Sequence, residues 1–347
     1  MLRILIIRSG ALGDTIFASA VMEVLHQAYP QASFDWIVSS KSIGLFEHDP
    51  RVTQCFSLKH RKLPIFISLE KQAIIRHSKQ QPYDLVVNLE HHPTFCALAK
   101  AIQTRARLEI NDHPITSNKV PHAVETMKQP LYALLRNESL ASSLNQLNIA
   151  DIGPRIMGEP LAKIEAKFKL PKHYIVLCPG NSHSKKSKIN HRAWPEAHWI
   201  QLIKEFANSQ TIVLLGSQAD RQQIELWDLP KSSSILNLAG KTNLSELVAL
   251  IEHAVVAVTT DSGPTHIASA VQTPNIALIG PTDPDSTGPY QTQDNHSQIL
   301  LSNLDCQPCY GTDIQRQCTN NECMNQLTPE LVKHTINKYL HASMSEQ

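Results

Sequence analysis

The chain has 347 residues with 32 basic against 31 acidic side chains, a net charge of +1, so it carries no general electrostatic footprint for nucleic acid. Its length suits two domains, each with its own core. No run approaches the roughly 18 apolar residues of a membrane span, and the first apolar stretch is too short and too soon followed by Asp14 to be a signal peptide, so a cytoplasmic protein is expected.

Leu2 to Ile7 is an apolar strand that runs into Arg8, Ser9, Gly10, Ala11, Leu12, Gly13 and Asp14, and a helix-like stretch follows from Thr15 to Ala28. Strands are expected near 33–39, 52–57, 83–89 and 105–110, alternating with helical stretches as a parallel sheet requires. Residues 111–150 carry the least readable pattern, and Gly153, Pro154, Gly158, Pro160 and Pro171 then mark a domain boundary within 151–172.

At residue 173 the same grammar restarts. HYIVLCPGN is a strand ending in Pro179 and Gly180, the polar loop Asn181 to Arg192 follows, and Trp194 and Pro195 open a helix, where the missing proline N–H is not needed. Further strands are expected near 211–216, 234–238, 255–260, 275–279 and 297–301. Asn243-Leu244-Ser245-Glu246 reads as a capping box ahead of an apolar helix face. A final helix opens at Thr328-Pro329-Glu330 and carries Leu331, Val332, Ile336 and Leu340. Neither glycine turn is GxGxxG, which argues against an ordinary dinucleotide fingerprint.

The segment VVAVTTDSGPTHIASA, Val255 to Ala270, carries the sharpest chemical signal: a strand breaks into Asp261, Ser262, Gly263 and Pro264 and resumes as a helix bearing His266. Free N–H groups of a first helical turn and the helix dipole attract an anion such as phosphate. An ordinary turn with Asp261 as cap has the same pattern. Asp14 reads either as a general base at a strand end or as a helix cap, and Asp220, after TIVLLG and Ser217-Gln218-Ala219, either as a ribose ligand or as a cap. The loop NSHSKKSKINHR holds His183, Lys185, Lys186, Lys188, His191 and Arg192, suited to a diphosphate or simply solvated. Asp283-Pro284-Asp285 imitates a metal-binding DxD, but its proline, with Pro281 and Gly288 nearby, favours a turn. Cys306, Cys309, Cys318 and Cys323 are spaced C-x2-C-x8-C-x4-C, compatible with zinc or two disulfides, while Cys55, Cys96 and Cys178 sit in apolar patterns and read as core.

Six patches in order then resemble glycosyltransferase family 9, the lipopolysaccharide heptosyltransferases: IRSGALGDTI, YPQASFDWIVSS, AWPEAHW, TTDSGPTHIASA, IGPTDPDSTGPY and the tail CQPCYGTDIQRQCTNNECMNQLTPELV. The resemblance implies an α/β GT-B enzyme of two facing Rossmann-like domains with parallel sheets. It implies an acceptor-binding domain over 1–165, an ADP-sugar-binding domain over 166–326, and a terminal helix, 327–347, able to pack back on the first domain. The implied chemistry is inverting, metal-independent and without a cofactor, with Asp14 as base and Glu90 as its rival. Donor contacts fall on Lys188, Arg192, Asp220, Asp261, Ser262, Gly263 and His266; acceptor contacts on Ser9, Thr15, His91 and His92, with Arg105, Arg107, Lys119 and His122 as looser candidates. Ser9 and Thr15 can equally orient Asp14. The partners implied are an ADP-sugar and a lipid-anchored core oligosaccharide, with peripheral contact at the inner membrane face. A GT-B nucleotide-sugar epimerase, which needs no acceptor, and a non-catalytic sugar-nucleotide-binding protein, which needs no Asp14, are the alternatives.

Overall fold

Every strand among the described residues pairs in parallel, and the computed structural model describes residues 2–112, 120–134, 143–181, 189–293 and 297–345. Lys119 and the 182–188 stretch with His183, Lys185, Lys186 and Lys188 lie outside them.

The chain divides into two compact units, Met1–Met157 and Gly158–Gln347. The first holds β1 (Arg3–Ile7), β2 (Ser33–Ser39), β3 (Val52–Leu58), β4 (Tyr83–Asn88) and β5 (Thr104–Glu109), in the order β3-β2-β1-β4-β5. Around them run α1 (Leu12–Ala28), α2 (Leu69–Gln80), α3 (Pro93–Ala101), α4 (Ala123–Lys128) and α5 (Leu131–Leu134). Ile4, Leu5, Ile6 and Ile7 are all fully buried, as a central parallel strand covered on both faces demands.

The second unit holds β6 (Ile175–Cys178), β7 (Ile212–Leu214), β8 (Ile235–Asn237), β9 (Val256–Thr260), β10 (Asn275–Leu278) and β11 (Ser297–Leu300), ordered β11-β10-β9-β6-β7-β8. Its helices are α6 (Leu161–Phe168), α7 (Glu196–Phe206), α8 (Gln218–Ile224), α9 (Leu244–Glu252), α10 (Gly263–Ala270), α11 (Pro284–Thr287), α12 (Asp313–Gln317), α13 (Glu322–Asn325) and α14 (Pro329–Ser345). In each sheet the winding reverses once, between β1 and β4 and between β6 and β9. These switch points open a crevice at the strand C-termini, where ligands of such sheets bind.

The units divide after Met157, and the chain is pinned to α9 as soon as it leaves the first of them. Gly158 N–H donates to Glu252 Oε2 at 3.3 Å and Glu159 N–H to the Ser245 carbonyl at 3.1 Å. A Cβ on Gly158 would lie 2.4 Å from the Ala249 amide nitrogen, so only glycine fits that approach. Lys167 of α6 then pairs with Glu246. Asn243 and Glu246 form the expected capping box, with Glu246 N–H on Asn243 Oδ1 at 2.8 Å and Asn243 N–H on Glu246 Oε2 at 3.0 Å. The terminal helix α14 buries Val332, Ile336 and Leu340 in the second unit's core beside Trp199 and Phe206, while Leu331 stays 40% exposed.

Candidate functional site

At the β1/β4 switch point the turn after β1 is built around Asp14. As the third residue of α1 it folds back on the helix N-terminus, taking the Ala11 N–H on Oδ2 at 3.0 Å. Gly10 is required there, since a Cβ would stand 2.5 Å from that oxygen. Arg8 Nη2 lies 3.1 Å from Asp14 Oδ1, and Arg8 Nη1 donates to the Leu89 carbonyl at 2.7 Å. The Asp14 side chain remains 38% exposed. Glu90, the rival acid, is only 8% exposed and is committed elsewhere: Oε1 accepts the Ser9 N–H at 2.6 Å and faces Arg61 Nη2 at 3.5 Å. Ser9 and Thr15 are fully buried, and Thr15 Oγ1 donates to the Ala11 carbonyl at 3.2 Å, so this geometry suits shaping the Asp14 turn rather than touching an acceptor.

His91 stands exposed after β4 with its Nδ1 2.6 Å from Asn111 Oδ1. His92 caps α3, its Nδ1 accepting the Thr94 N–H at 3.3 Å, and His122 caps α4 in the same way from Val124 at 3.1 Å. Arg105 pairs with Asp84 at 3.1 Å, and Arg107 donates to the Ile102 carbonyl at 3.3 Å.

The second switch point gathers most of the donor candidates. Thr260, at the end of β9, donates to the Gly180 carbonyl beyond β6 at 3.3 Å, which joins the two strand ends. Thr265 reinforces the turn by donating to the Thr260 carbonyl at 2.5 Å. Ser262 is the N-cap of α10, yet its hydroxyl donates backwards to Thr260 at 3.1 Å and makes no cap bond. The amides opening α10 are therefore left without a serine cap, the condition under which a helix N-terminus attracts an anion. Asp261, Ser262 and His266 are all buried there. Arg192 Nη1 donates to the Asp261 carbonyl at 3.2 Å and stands 3.6 Å from its carboxylate. A guanidinium thus stands beside the α10 turn.

Asp220 sits on the neighbouring strand end as the third residue of α8. It accepts from Ser217 N–H at 2.6 Å and from Ser217 Oγ at 2.7 Å, so the capping role is real. Its carboxylate also fills the space over Gly180, where a Cβ would approach within 2.3 Å, which keeps it at the switch-point crevice. Asp283 likewise caps α11, taking the Asp285 N–H at 3.1 Å and the Ser286 hydroxyl, so Asp283-Pro284-Asp285 is a turn.

The cysteine tail braces these loops. Cys309 and Tyr310 N–H groups both donate to the Pro281 carbonyl, at 2.8 and 2.9 Å, and Asn321 Nδ2 donates to Ala193 at 3.1 Å. All seven cysteines are free thiols. Burial, with the neighbouring thiols, pushes Cys323 up to about 11. Among the described residues no three His, Cys, Asp or Glu side chains group so as to hold a metal ion.

Sequence reasoning missed the roles of Arg8 and Arg61. The signal for Arg8 was present: a basic residue closing a buried strand one turn ahead of a candidate base.

Two doubly wound parallel-sheet domains are the GT-B architecture, and the chain belongs to glycosyltransferase family 9 (heptosyltransferase), whose model matches residues 72–320. Asp14 precedes that match. The chain is 27% identical to lipooligosaccharide heptosyltransferase 2 of Haemophilus influenzae, covering 98% of this chain and 99% of that one. It is 25% identical to lipopolysaccharide heptosyltransferase 3 of Escherichia coli over 78% of this chain and 80% of the relative. The solved structure of E. coli ADP-heptose lipopolysaccharide heptosyltransferase II superposes with a TM-score of 0.74 at 21% identity, over 99% of this chain and 100% of that one. The protein is a glycosyltransferase.

Proposed function

We propose that the enzyme transfers a heptose from ADP-heptose to a hydroxyl of the lipopolysaccharide core, with inversion and without a metal ion. The observation that carries this reading is the match to heptosyltransferases over nearly the whole chain. Asp14 takes the proton of the acceptor hydroxyl as its oxygen attacks the anomeric carbon from the face opposite the diphosphate, and the bond to the diphosphate breaks with its electron pair leaving on ADP. Arg192 supplies the charge that a metal would otherwise supply, joined by Lys188 and by the Ser262 and Gly263 amides at the α10 N-terminus. His266 adds a ring N–H, Asp261 orients Arg192, and Asp220 accepts from the ribose hydroxyls while capping α8. His91 and His92 line the acceptor side. The acceptor is lipid-anchored, so the reaction runs at the cytoplasmic face of the inner membrane.

Incubation with ADP-heptose and truncated core oligosaccharides in EDTA, with the product's anomeric configuration read by NMR, tests this reading. An inverted glycoside formed at an undiminished rate is expected. Activity that requires added magnesium or manganese would overturn metal independence, and sugar turnover without acceptor would indicate an epimerase.

A further inference from the structure

We propose that Arg8 is a positioning residue for the sugar-transfer step, holding the Asp14 carboxylate in the one orientation from which it can take the acceptor proton. The proposal rests on the reading of Asp14 as the base. Its warrant is a set of contacts that fix the carboxylate at both ends. Asp14 Oδ2 is tied to its own helix by the Ala11 N–H at 3.0 Å, while Oδ1 meets Arg8 Nη2 at 3.1 Å. Neither contact alone would fix the plane of the carboxylate; together they do.

Arg8 can serve as an anchor because it is itself held from two strands. Its backbone N–H donates to the Ile37 carbonyl at 3.0 Å, extending the β1–β2 ladder, and Nη1 donates to Leu89 just past β4 at 2.7 Å. The guanidinium therefore bridges the switch point from the β4 side to the β1 turn, with its side chain 13% exposed against 38% for Asp14. An arginine less exposed than the carboxylate it contacts is the arrangement expected when the cation orients and the carboxylate reacts. Glu90 and Arg61, the other charged pair at this strand end, are 3.5 Å from one another, and Glu90 holds the Ser9 amide, so they stabilise the same turn from the other side. Each Asp14 oxygen keeps a second lone pair for the incoming hydroxyl proton. Arginine's planar fork reaches two acceptors in fixed directions, which an ammonium cannot do.

The test is a kcat and KM comparison of Arg8→Met, Arg8→Lys, Asp14→Asn and the double variant Arg8→Met/Asp14→Asn, in the full chain with ADP-heptose and a core acceptor. A misplaced base costs up to about a hundredfold. Arg8→Met is expected to lower kcat by about ten- to a hundredfold with KM for ADP-heptose within a few-fold, and Arg8→Lys to fall between it and wild type. In the double variant Arg8→Met should add no further loss to Asp14→Asn, because a residue acting through another is silent once that one is gone. Wild-type kcat in both Arg8 variants, or losses that multiply in the double variant, would overturn the proposal. Near-normal kcat in Asp14→Asn would instead remove the base reading itself, which is a separate result. Should Arg8→Met fail to fold, the intermediate kcat of Arg8→Lys decides alone.

Discussion

Asp14 and Asp220 occupy equivalent places in their two units: each is the third residue of the helix leaving a strand end, and each folds back on the amide of its own N-cap. Capping explains why aspartate suits both positions, and only the other partners separate them: Arg8 for Asp14, the Ser217 hydroxyl for Asp220. Asp220→Ala should therefore cost about 1 kcal/mol of stability as a lost cap and weaken ADP binding about tenfold, the equivalent of one hydrogen bond to a charged group. Calorimetry of ADP binding beside urea unfolding separates the two effects, and an unchanged dissociation constant would leave Asp220 as a cap alone. Glu109 offers a pH test in the first unit. It is buried at the end of β5 and receives Asn88 Nδ2 at 2.6 Å, and burial pushes its carboxyl above the ordinary range. A raised carboxyl favours folding at low pH, and that contribution is lost as pH rises through the folded value. Glu109→Gln should accordingly gain stability relative to wild type at pH 8 and lose that advantage at pH 4, as read by urea unfolding at the two pH values.

The element that carries Arg61 is held by a buried lysine. Lys71, in the first turn of α2, is fully buried and its Nζ donates to the Arg61 carbonyl at 2.8 Å and the Leu63 carbonyl at 2.6 Å, above the Phe95 ring. Lys71→Met would strand two carbonyls and should cost about 2–4 kcal/mol, measured by denaturant unfolding, with Lys71→Arg costing less. An undiminished stability would mean that water replaces the lysine there. Such a contact was not legible in the sequence, because nothing local in LEKQAIIRHSKQ points Lys71 at the carbonyls of Arg61 and Leu63. The strands were legible because central parallel strands are continuous apolar runs, and the glycine turns because only a small residue fits against Asp14, Asp220 or the α9 backbone. What failed depends on distant partners. The Glu90 contact to Ser9 spans 81 residues, so nothing local reports that the rival base is already engaged. Ser9 and Thr15 carry no local sign of burial until the packing of α1 encloses them.

At the scale of the whole molecule, the two switch points carry different chemistry, and the proposed division of labour follows from that difference. The first offers a carboxylate held 3.1 Å from Arg8, with Arg61 facing Glu90 beside it at 3.5 Å, an arrangement that suits taking a proton from a neutral hydroxyl. The second offers a helix N-terminus without a serine cap and a guanidinium fixed to the same turn, which suits the diphosphate. Charged hydrogen bonds contribute about 1.5–3 kcal/mol, and about 1.4 kcal/mol is tenfold in affinity. Arg192→Ala in the full chain should therefore raise the dissociation constant for ADP-heptose by about tenfold or more. The loss should be aggravated because the buried Asp261 carboxylate, 3.6 Å from Arg192, would then face the diphosphate uncompensated. Asp14→Asn should leave the same constant within a few-fold while lowering turnover about a hundredfold or more, the range for a lost general base. Titration of both variants with ADP-heptose by calorimetry reads this directly. If Asp14→Asn abolished donor binding and Arg192→Ala left it intact, the donor would belong to the first unit and the division drawn here would be reversed.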